Sequence, residues 1–394
     1  MKLKHRNHSH HAIRQGDFVL LALCIIASLY GIVLVASASN YRDSTRYVLI
    51  QSAALAIGVV LYLLCSKIDI QILTEKWAWI LFLNVLLIVS LVFLGVDGGS
   101  GNRSWIRFSL LPIGIQPAEV AKITFTLLLA RQLAAMQKGA ISKLSSVAKL
   151  LLHVGLMCGL IMVASGDAGM VVVYGFLFLV MAFVAGVKLR WFALGIGVAS
   201  GAFLFLWYQT PLIKGYWKNR IRVLFDHSLD PLGIGWQQER SVLAIGSGQL
   251  RGQGLFHGLQ TQSPYESALP ARHTDFIFSV AGEELGIIGC ALIILLLSAI
   301  ILRCVFIGLK ASYTIDAFTA FGFAGMLFCQ TLLNIGMCLY LTPVVGLTLP
   351  FFSYGGSSII TLFAAMGLVS GIKARSLPSW LQDRGELQQM GLEE

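Results

Sequence analysis

The first apolar stretch of the chain reads FVLLALCIIASLYGIVLVASA and spans residues 18–38 without a charged side chain. A helix of about 20 apolar residues is long enough to cross the hydrocarbon core of a bilayer. Further stretches of similar length and mostly apolar character follow at 47–66, 77–96, 117–136, 147–165, 168–187, 191–209, 284–308, 316–341 and 355–373. The sequence therefore predicts an all-α, polytopic membrane protein with about ten transmembrane helices.

The composition of the whole chain agrees with that reading. Of 394 residues, 57% are hydrophobic and 12% charged, and the mean hydropathy is +0.78, whereas soluble proteins carry about a quarter charged residues. A soluble enzyme, a disordered chain and a nucleic-acid-binding domain are excluded. We expect the seven cysteines to be small core hydrophobes, because none has CxxC spacing. The histidines of the N-terminal tail either bind a metal or, as we expect, belong to a solvated tail.

The basic residues predict the topology. With the N-terminus inside, most of the 29 lysines and arginines fall in inner segments, and the short outer loops hold few. Both termini are then cytoplasmic, with tails at 1–17 and 376–394 around a single transmembrane domain at 18–375. One long outer loop, 210–276, joins helices seven and eight. Its basic residues alternate with aromatic ones, and long ordered loops are usually functional.

Two ionisable residues lie in the predicted fourth helix. Glu119 and Lys122 stand three residues apart, just after Gln116 and Pro117, and residues at this spacing share a helix face. Ionisable groups at membrane depth are candidates for function. The alternative is an ion pair that neutralises itself and only orients the helix.

Asp275 lies where the long loop turns back into the membrane. A carboxylate at a membrane mouth, among basic residues, suits a general base. The alternative is structural, with Thr274 capping the helix and Asp275 favouring its positive end. Glu283 and Glu284 follow two turns later, and we expect one of them to point into the bundle, because adjacent helical residues face about 100° apart.

Two other motifs have structural readings. Asp167 lies in a tight turn between helices five and six, and we interpret it as a turn residue. The glycine-rich segment 246–254 looks like a phosphate-binding loop, but Arg251 replaces a glycine that the pattern requires. No strand precedes it and no GK[ST] follows, so nucleotide binding is not expected.

Several motifs together resemble the SEDS family (shape, elongation, division and sporulation) over essentially the whole transmembrane part. They are SWI at 104–106, QPAEVAK at 116–122, RI at 220–221, WQ at 236–237, SVLAIGSG at 241–248, HTDFIF at 273–278, EELG at 283–286, NIGM at 334–337, PVVG at 343–346 and LPFFSYGGSS at 349–358. The segments GLQTQ at 258–262 and TPVVG at 342–346 are more similar to the elongation branch, RodA, than to the division branch, FtsW.

The resemblance implies a peptidoglycan glycosyltransferase that polymerises lipid II during cell-wall elongation, with inversion and release of undecaprenyl pyrophosphate. It implies Asp275 as the base, with Glu119 and Lys122 beside it. Binding of the pyrophosphate and substrate is expected from Lys218, Arg220, Arg222, Gln237, Arg272, His273 and Ser357. An assisting divalent cation, magnesium or manganese, is also expected, although its ligands are unknown.

The family further implies a bacterial plasma-membrane protein that works with a class B penicillin-binding transpeptidase and other elongation proteins, among membrane lipids and without nucleic acid. Other readings are a lipid II flippase, a scaffold for the transpeptidase, or a division-branch polymerase. The sequence departs from the usual pattern at Trp236, in the turn 165–169, and at Arg103, which stands one place from its frequent position. The last two departures leave the roles of Asp167 and Arg103 open.

Overall fold

The computed structural model shows an assembly of helices. It describes residues 16–41, 44–97, 102–107, 114–136, 141–209, 222–223 and 233–376. No strand is found within these ranges. The extended pairing there is limited to isolated bridges, Val96 with Trp105 and Ile106 with Ile115.

The helices are named in chain order. They are α1 (Phe18–Ala38), α2 (Ser44–Cys65), α3 (Ile70–Glu75), α4 (Trp77–Leu94), α5 (Pro117–Met136), α6 (Leu144–Ser165), α7 (Ala168–Val184), α8 (Leu189–Gln209), α9 (Ile234–Gly248), α10 (Ile277–Leu309), α11 (Thr314–Cys338) and α12 (Gly356–Arg375). A single 3₁₀ turn, Glu266–Ala268, lies between α9 and α10.

A helix occupies each of the ten predicted positions, which confirms the all-α class. Within the described residues, seven helices are long and apolar enough to cross a membrane: α1, α2, α4, α6, α10, α11 and α12. The apolar helix α7 is shorter, with 17 residues. Helix α5 carries Glu119, Lys122 and Arg131 within its bounds. The number ten itself stays a prediction.

The centre of the molecule lies around α11 and α12. These two helices are the most buried of the candidate spans, and α12 packs closely along α2 while α11 packs on α7, α5 and α10. Helices α1, α2 and α4 expose many large apolar side chains on their outer faces, as lipid-facing helices do. All seven cysteines are free and at least partly buried, as predicted.

The predicted loop 210–276 contains ordered helical structure. Helix α9 lies inside it and packs on α10 and α11. Gly246 and Gly248 belong to the last turn of this helix, so they do not form a phosphate-cradling loop, in agreement with the sequence. The expectation of one long connection holds, but the part after residue 233 folds onto the bundle.

Helix α10 is broken at Gly286, whose φ of 66° lies in the left-handed region. The break frees two carbonyls before it and two N–H groups after it, and the turn 249–254 pairs with all four. The hydrogen bonds run from Gln253 N to Glu283 O (2.9 Å), Gly254 N to Glu284 O (2.9 Å), Ile287 N to Gln249 O (2.9 Å) and Ile288 N to Leu250 O (3.4 Å). Non-helical backbone is tolerated inside a membrane domain where protein groups satisfy it in this way.

Candidate active site

Asp275 lies two residues before α10, and three residues from two elements, α11 and the segment 340–355, hold the main chain around it. Asn334 of α11 donates from Nδ2 to the Asp275 carbonyl (2.9 Å). The Tyr354 N–H donates to the His273 carbonyl (2.9 Å), and Ser353 Oγ donates to the Thr274 carbonyl (2.5 Å). Three successive carbonyls are therefore fixed in position.

The side chain of Asp275 remains partly exposed. Its Oδ2 atom lies 3.7 Å from the point where a Cβ at position 346 would stand, and that position is Gly346, with a φ of 70°. Thr274 does not cap the helix as the structural alternative proposed. Its hydroxyl donates to the Ala271 carbonyl (3.2 Å), and the N-cap residue is Phe276, without a side-chain cap.

His273, two residues before Asp275, packs against two tyrosine rings. Its ring centroid lies 5.1 Å from that of Tyr47 and 5.9 Å from that of Tyr354, and the two tyrosines are 5.0 Å apart. Edge-to-face aromatic contacts of this kind fix ring orientation. The predicted binding residue is thus held beside the predicted base.

Glu119 and Lys122 form the ion pair that their spacing predicts. Lys122 Nζ lies 2.8 Å from Glu119 Oε2, and both side chains are buried. Tyr174 of α7 donates from its hydroxyl to the Ala118 carbonyl (2.9 Å), which ties this first turn of α5 to the neighbouring helix. Removing either partner would leave an uncompensated buried charge, which is strongly destabilising.

Asp167 does more than form a turn. Its Oδ1 caps α7 by accepting from Met170 N (3.1 Å), and its Oδ2 accepts from Ser104 Oγ (3.3 Å) and from Gln116 Nε2 (3.2 Å). It therefore joins the 104–106 motif to the segment before α5. Burial raises the pKa of Asp167, and the charge of Glu119 adds to that rise. Arg103 is exposed beside this cluster.

The irregular segment 340–355 lies between Asp167 and Asp275. The Val345 carbonyl lies against Gly169, close to where a Cβ there would stand (2.7 Å), on the Asp167 side. Gly346 faces Asp275 on the other side. Gln51 of α2 fixes the far end of this segment, donating to the Ser353 carbonyl (2.9 Å) and accepting from Gly355 N (3.2 Å).

Arg272 is almost fully buried, and its guanidinium is directed at the main chain of its own loop. It also lies over the ring of Tyr41, 3.7 Å from the centroid. It donates to the carbonyls of Gln260 (3.1 Å), Thr261, Ser263 (3.0 Å) and Tyr265 (3.2 Å). In this arrangement the charge of Arg272 stabilises the 260–265 segment.

The other predicted binding residues are spread around the mouth. Gln237 is half-buried and lines a cavity of about 350 Å³ together with Trp236 and Pro270. Ser357 is buried in the first turn of α12, and its hydroxyl makes no hydrogen bond to any residue that the structure describes. Arg222 is exposed. Lys218 and Arg220 lie outside the described residues.

The structure goes beyond the expectation that one of Glu283 and Glu284 points into the bundle, because both are fully buried and Glu284 bonds to α1. Glu283 accepts from Gln260 N (2.7 Å), Thr261 N (2.8 Å) and Thr261 Oγ1 (2.6 Å). The 258–262 segment therefore covers the Glu283 carboxylate.

The Glu284 carboxylate also accepts hydrogen bonds, from α1 and from the 258–262 segment. It accepts from Ser37 Oγ of α1 (2.5 Å), Gln262 Nε2 (2.8 Å) and Gly258 N (3.3 Å). The sequence does not show these donors, because they come from segments far along the chain. Within the described residues, these two adjacent buried carboxylates are thus satisfied by hydrogen bonds and make no ion pair.

Sequence reasoning also gave no role to Asn334 and Gln51. Each is a buried amide in a mostly apolar helix that satisfies main-chain groups of the 340–355 segment. The signal was present, because a polar side chain in a transmembrane stretch is costly and needs a partner.

Known proteins resemble this chain over most of its length. The peptidoglycan glycosyltransferase MrdB of Escherichia coli (strain K12) is 32% identical over 90% of this chain and 91% of its own length. A probable peptidoglycan glycosyltransferase FtsW of Trichlorobacter lovleyi is 34% identical over 92% of this chain and 94% of its own.

Solved structures show the same relationship. A chain from a peptidoglycan synthase complex, reported to coordinate polymerization and crosslinking, superposes with a TM-score of 0.75 at 30% identity, over 92% of this chain and 98% of the other. The rod shape determining protein RodA of Thermus thermophilus gives a TM-score of 0.67 at 28% identity, over 92% and 98%. The family model for cell cycle proteins of the FtsW, RodA and SpoVE type matches residues 17–377. The chain therefore belongs to the SEDS family, the membrane proteins that include FtsW, RodA and SpoVE.

Proposed function

We propose that this protein is a peptidoglycan glycosyltransferase that polymerises lipid II at the outer face of the bacterial plasma membrane. The observation that carries the proposal is the setting of Asp275, whose main chain is clamped by α11 and the 340–355 segment while its carboxylate stays partly exposed. The relatives named as peptidoglycan glycosyltransferases support the same activity.

In the proposed reaction, the 4-hydroxyl of one lipid-linked disaccharide attacks the anomeric carbon of another. The new glycosidic bond forms as the bond to pyrophosphate breaks, with inversion at that carbon. Asp275 accepts the hydroxyl proton, and undecaprenyl pyrophosphate leaves with the bonding electrons. A positioned general base contributes about 10² to 10⁴ to such a rate.

The departing pyrophosphate needs cations, and the predicted basic residues fall into two groups. Lys218, Arg220 and Arg222 are proposed to face the substrate. Arg272 is proposed as a positioning residue, because its guanidinium already donates to carbonyls of the 260–265 segment. His273 and Gln237 line the mouth and are proposed to contact the sugars.

The divalent cation stays a prediction. Within the described part of the chain, no group of three or more histidine, cysteine or acidic side chains comes together. Magnesium commonly takes one or two carboxylates and completes its shell with phosphate oxygens and water. An ion at Asp275 would therefore depend on the substrate and on water for most of its ligands.

The elongation branch and the transpeptidase partner are also proposals. Relatives of both branches match at similar identity, so the branch rests on the two segments 258–262 and 342–346. The similar chain in a peptidoglycan synthase complex supports a partnership with a class B penicillin-binding protein. Co-purification with that partner in mild detergent is expected, and full activity without any stable association would contradict an obligate complex.

The deciding experiment uses the purified full chain with lipid II alone, and resolves the products on a gel. Glycan strands are expected from the wild type and from Glu75→Gln, which removes an exposed carboxylate far from the mouth. Absence of strands in the presence of the transpeptidase partner as well, together with transfer of lipid II across vesicle membranes, would favour the flippase instead.

A further inference from the structure

A cavity of about 380 Å³ lies at the opposite end of the bundle, where α10 and α12 end and α1 begins. Its lining combines cationic and apolar side chains: Arg303, Phe306, Ile307, Lys310, Lys373 and Ser376. We call it the basal cavity. The sequence predicts that this end faces the cytoplasm.

One buried carboxylate organises the basal cavity. Asp17 accepts from Arg303 Nε at 2.7 Å and Nη2 at 3.2 Å, and Lys373 Nζ lies 3.4 Å from it. The carboxylate is fully buried, whereas Arg303 is 30% and Lys373 37% exposed. The two cations are thus held in place by Asp17 while parts of both remain open to the cavity.

The charge of the basal cavity is unbalanced. Three cations, Arg303, Lys310 and Lys373, line it, and within the described residues Asp17 is the carboxylate in ion-pair contact with Arg303 and Lys373. Lys310 is exposed and forms no ion pair within the described residues. An anion that enters this cavity therefore meets three cations against one carboxylate, a net charge of two positive units.

An apolar stripe leads directly into the basal cavity. Leu295, Leu302 and Phe306 recur at spacings of seven and four on α10, so they share one face, and each is more than half exposed. Phe306 belongs both to this stripe and to the lining. A ligand with an anionic head and apolar chains fits both parts at once.

We propose that the basal cavity binds the phosphate headgroup of an anionic phospholipid, with its acyl chains along the stripe on α10. Basic pockets between transmembrane helices bind such headgroups. The dipoles of α10 and α12 also attract cations to their C-terminal ends. That attraction explains a lysine near each end, but it does not explain a cavity continuous with exposed apolar surface.

The other candidate occupant is the acidic C-terminal segment after residue 376, which carries Asp383, Glu386, Glu393 and Glu394. Its carboxylates match the charge of the cavity but leave the apolar stripe uncovered. The lipid satisfies both features with one molecule, which favours the lipid.

The test counts phospholipids retained by the purified full chain in a neutral detergent, using native mass spectrometry. The probes are phosphatidylglycerol and phosphatidylcholine with the same acyl chains. Preferential retention of phosphatidylglycerol is expected for the wild type. The double variant Lys310→Gln and Lys373→Gln should weaken that retention by about fivefold for each lysine removed. Lys310→Arg should retain the lipid, and Arg303 is left unchanged because it holds Asp17.

The matched control is Lys188→Gln, which removes an exposed basic residue between α7 and α8. It should retain phosphatidylglycerol as the wild type does, and thermal unfolding in phosphatidylcholine verifies that each variant is folded. An equal loss in Lys188→Gln would overturn the proposal in favour of general surface attraction. Displacement of the lipid by millimolar inorganic phosphate would overturn the role of the acyl chains. Retention that appears only after the four tail carboxylates are changed to amides would assign the cavity to the tail.

Discussion

Two kinds of acidic group lie close together near the start of α10. Asp275 has its main chain fixed by Asn334 and Ser353, and its carboxylate is partly exposed at the mouth. Glu283 and Glu284 are fully buried, and donors from other segments saturate their carboxylates. Rigid main chain with an accessible side chain suits chemistry, whereas a saturated side chain suits assembly of the fold.

The strongest way to test this contrast is to remove the proposed base. Asp275→Asn is expected to lower glycan polymerisation by about 10² to 10⁴, because an amide cannot accept the hydroxyl proton. The unfolding temperature should stay near that of the wild type, since the hydrogen bonds from Asn334, Ser353 and Tyr354 go to main-chain carbonyls that the substitution keeps. Lipid II assays and thermal unfolding of the purified variant measure both. Near-normal polymerisation would remove Asp275 from the role.

The buried ion pair on α5 is expected to show the next largest effect, on stability. Glu119→Gln or Lys122→Met alone leaves an uncompensated buried charge and should lower the free energy of unfolding by about 3–5 kcal/mol. The swaps Glu119→Asp and Lys122→Arg should do less damage. The double variant should lose less than the sum of the two single losses. Simple additivity in this double-mutant cycle would show that the pair is not coupled.

A substitution of Glu283 tests the structural role of the buried, hydrogen-bonded carboxylates. Glu283→Gln replaces one accepting oxygen by an amide NH2 group that faces donors, so we expect a loss of about 1–3 kcal/mol in the free energy of unfolding. Limited proteolysis should show faster cleavage between residues 255 and 265. Glu75→Gln serves as the exposed control and should be neutral. Activity lost without any change in stability or cleavage would make Glu283 a reactive group instead.

The smallest expected effect concerns pH. Because burial raises the pKa of Asp167, the folded protein holds this proton more tightly than the unfolded chain. The contribution of Asp167 to stability is then largest below the ordinary carboxyl pKa of about 4 and falls as the pH rises through the raised value. Asp167→Asn should flatten that part of the profile of unfolding temperature against pH. An unchanged slope would contradict the raised pKa.

The sequence predicts the helices well, because each depends on a local run of apolar residues. It also predicts the Glu119 and Lys122 pair, since both partners lie on one turn. It fails for Glu283 and Glu284, whose donors come from residues 258–262 and from Ser37. It likewise misses the use of Arg272 for its own loop, because a basic residue among aromatic ones looks the same whether its partner is a phosphate or a carbonyl.

Interactions between distant segments are thus the part that local pattern cannot supply. Gln51 and Asn334 show what the sequence can predict about such an interaction and what it cannot. Each is conspicuous as an amide in an apolar run, yet the run does not identify the partners, which are the Asp275 and Leu347 carbonyls for Asn334 and the Ser353 carbonyl for Gln51. The existence of a partner was predictable, and its identity required the fold.

The break at Gly286 has a consequence for how the protein is made. The turn that satisfies it, residues 249–254, precedes α10 in the chain, and domains of a growing polypeptide form in order from the N-terminus. When α10 leaves the ribosome, the groups that pair with its broken point have already been synthesised. The turn 249–254 can therefore pair with the broken point as soon as α10 enters the membrane. In a rearranged chain with α10 ahead of that turn, the unpaired groups at Gly286 would have to wait for the turn to be synthesised.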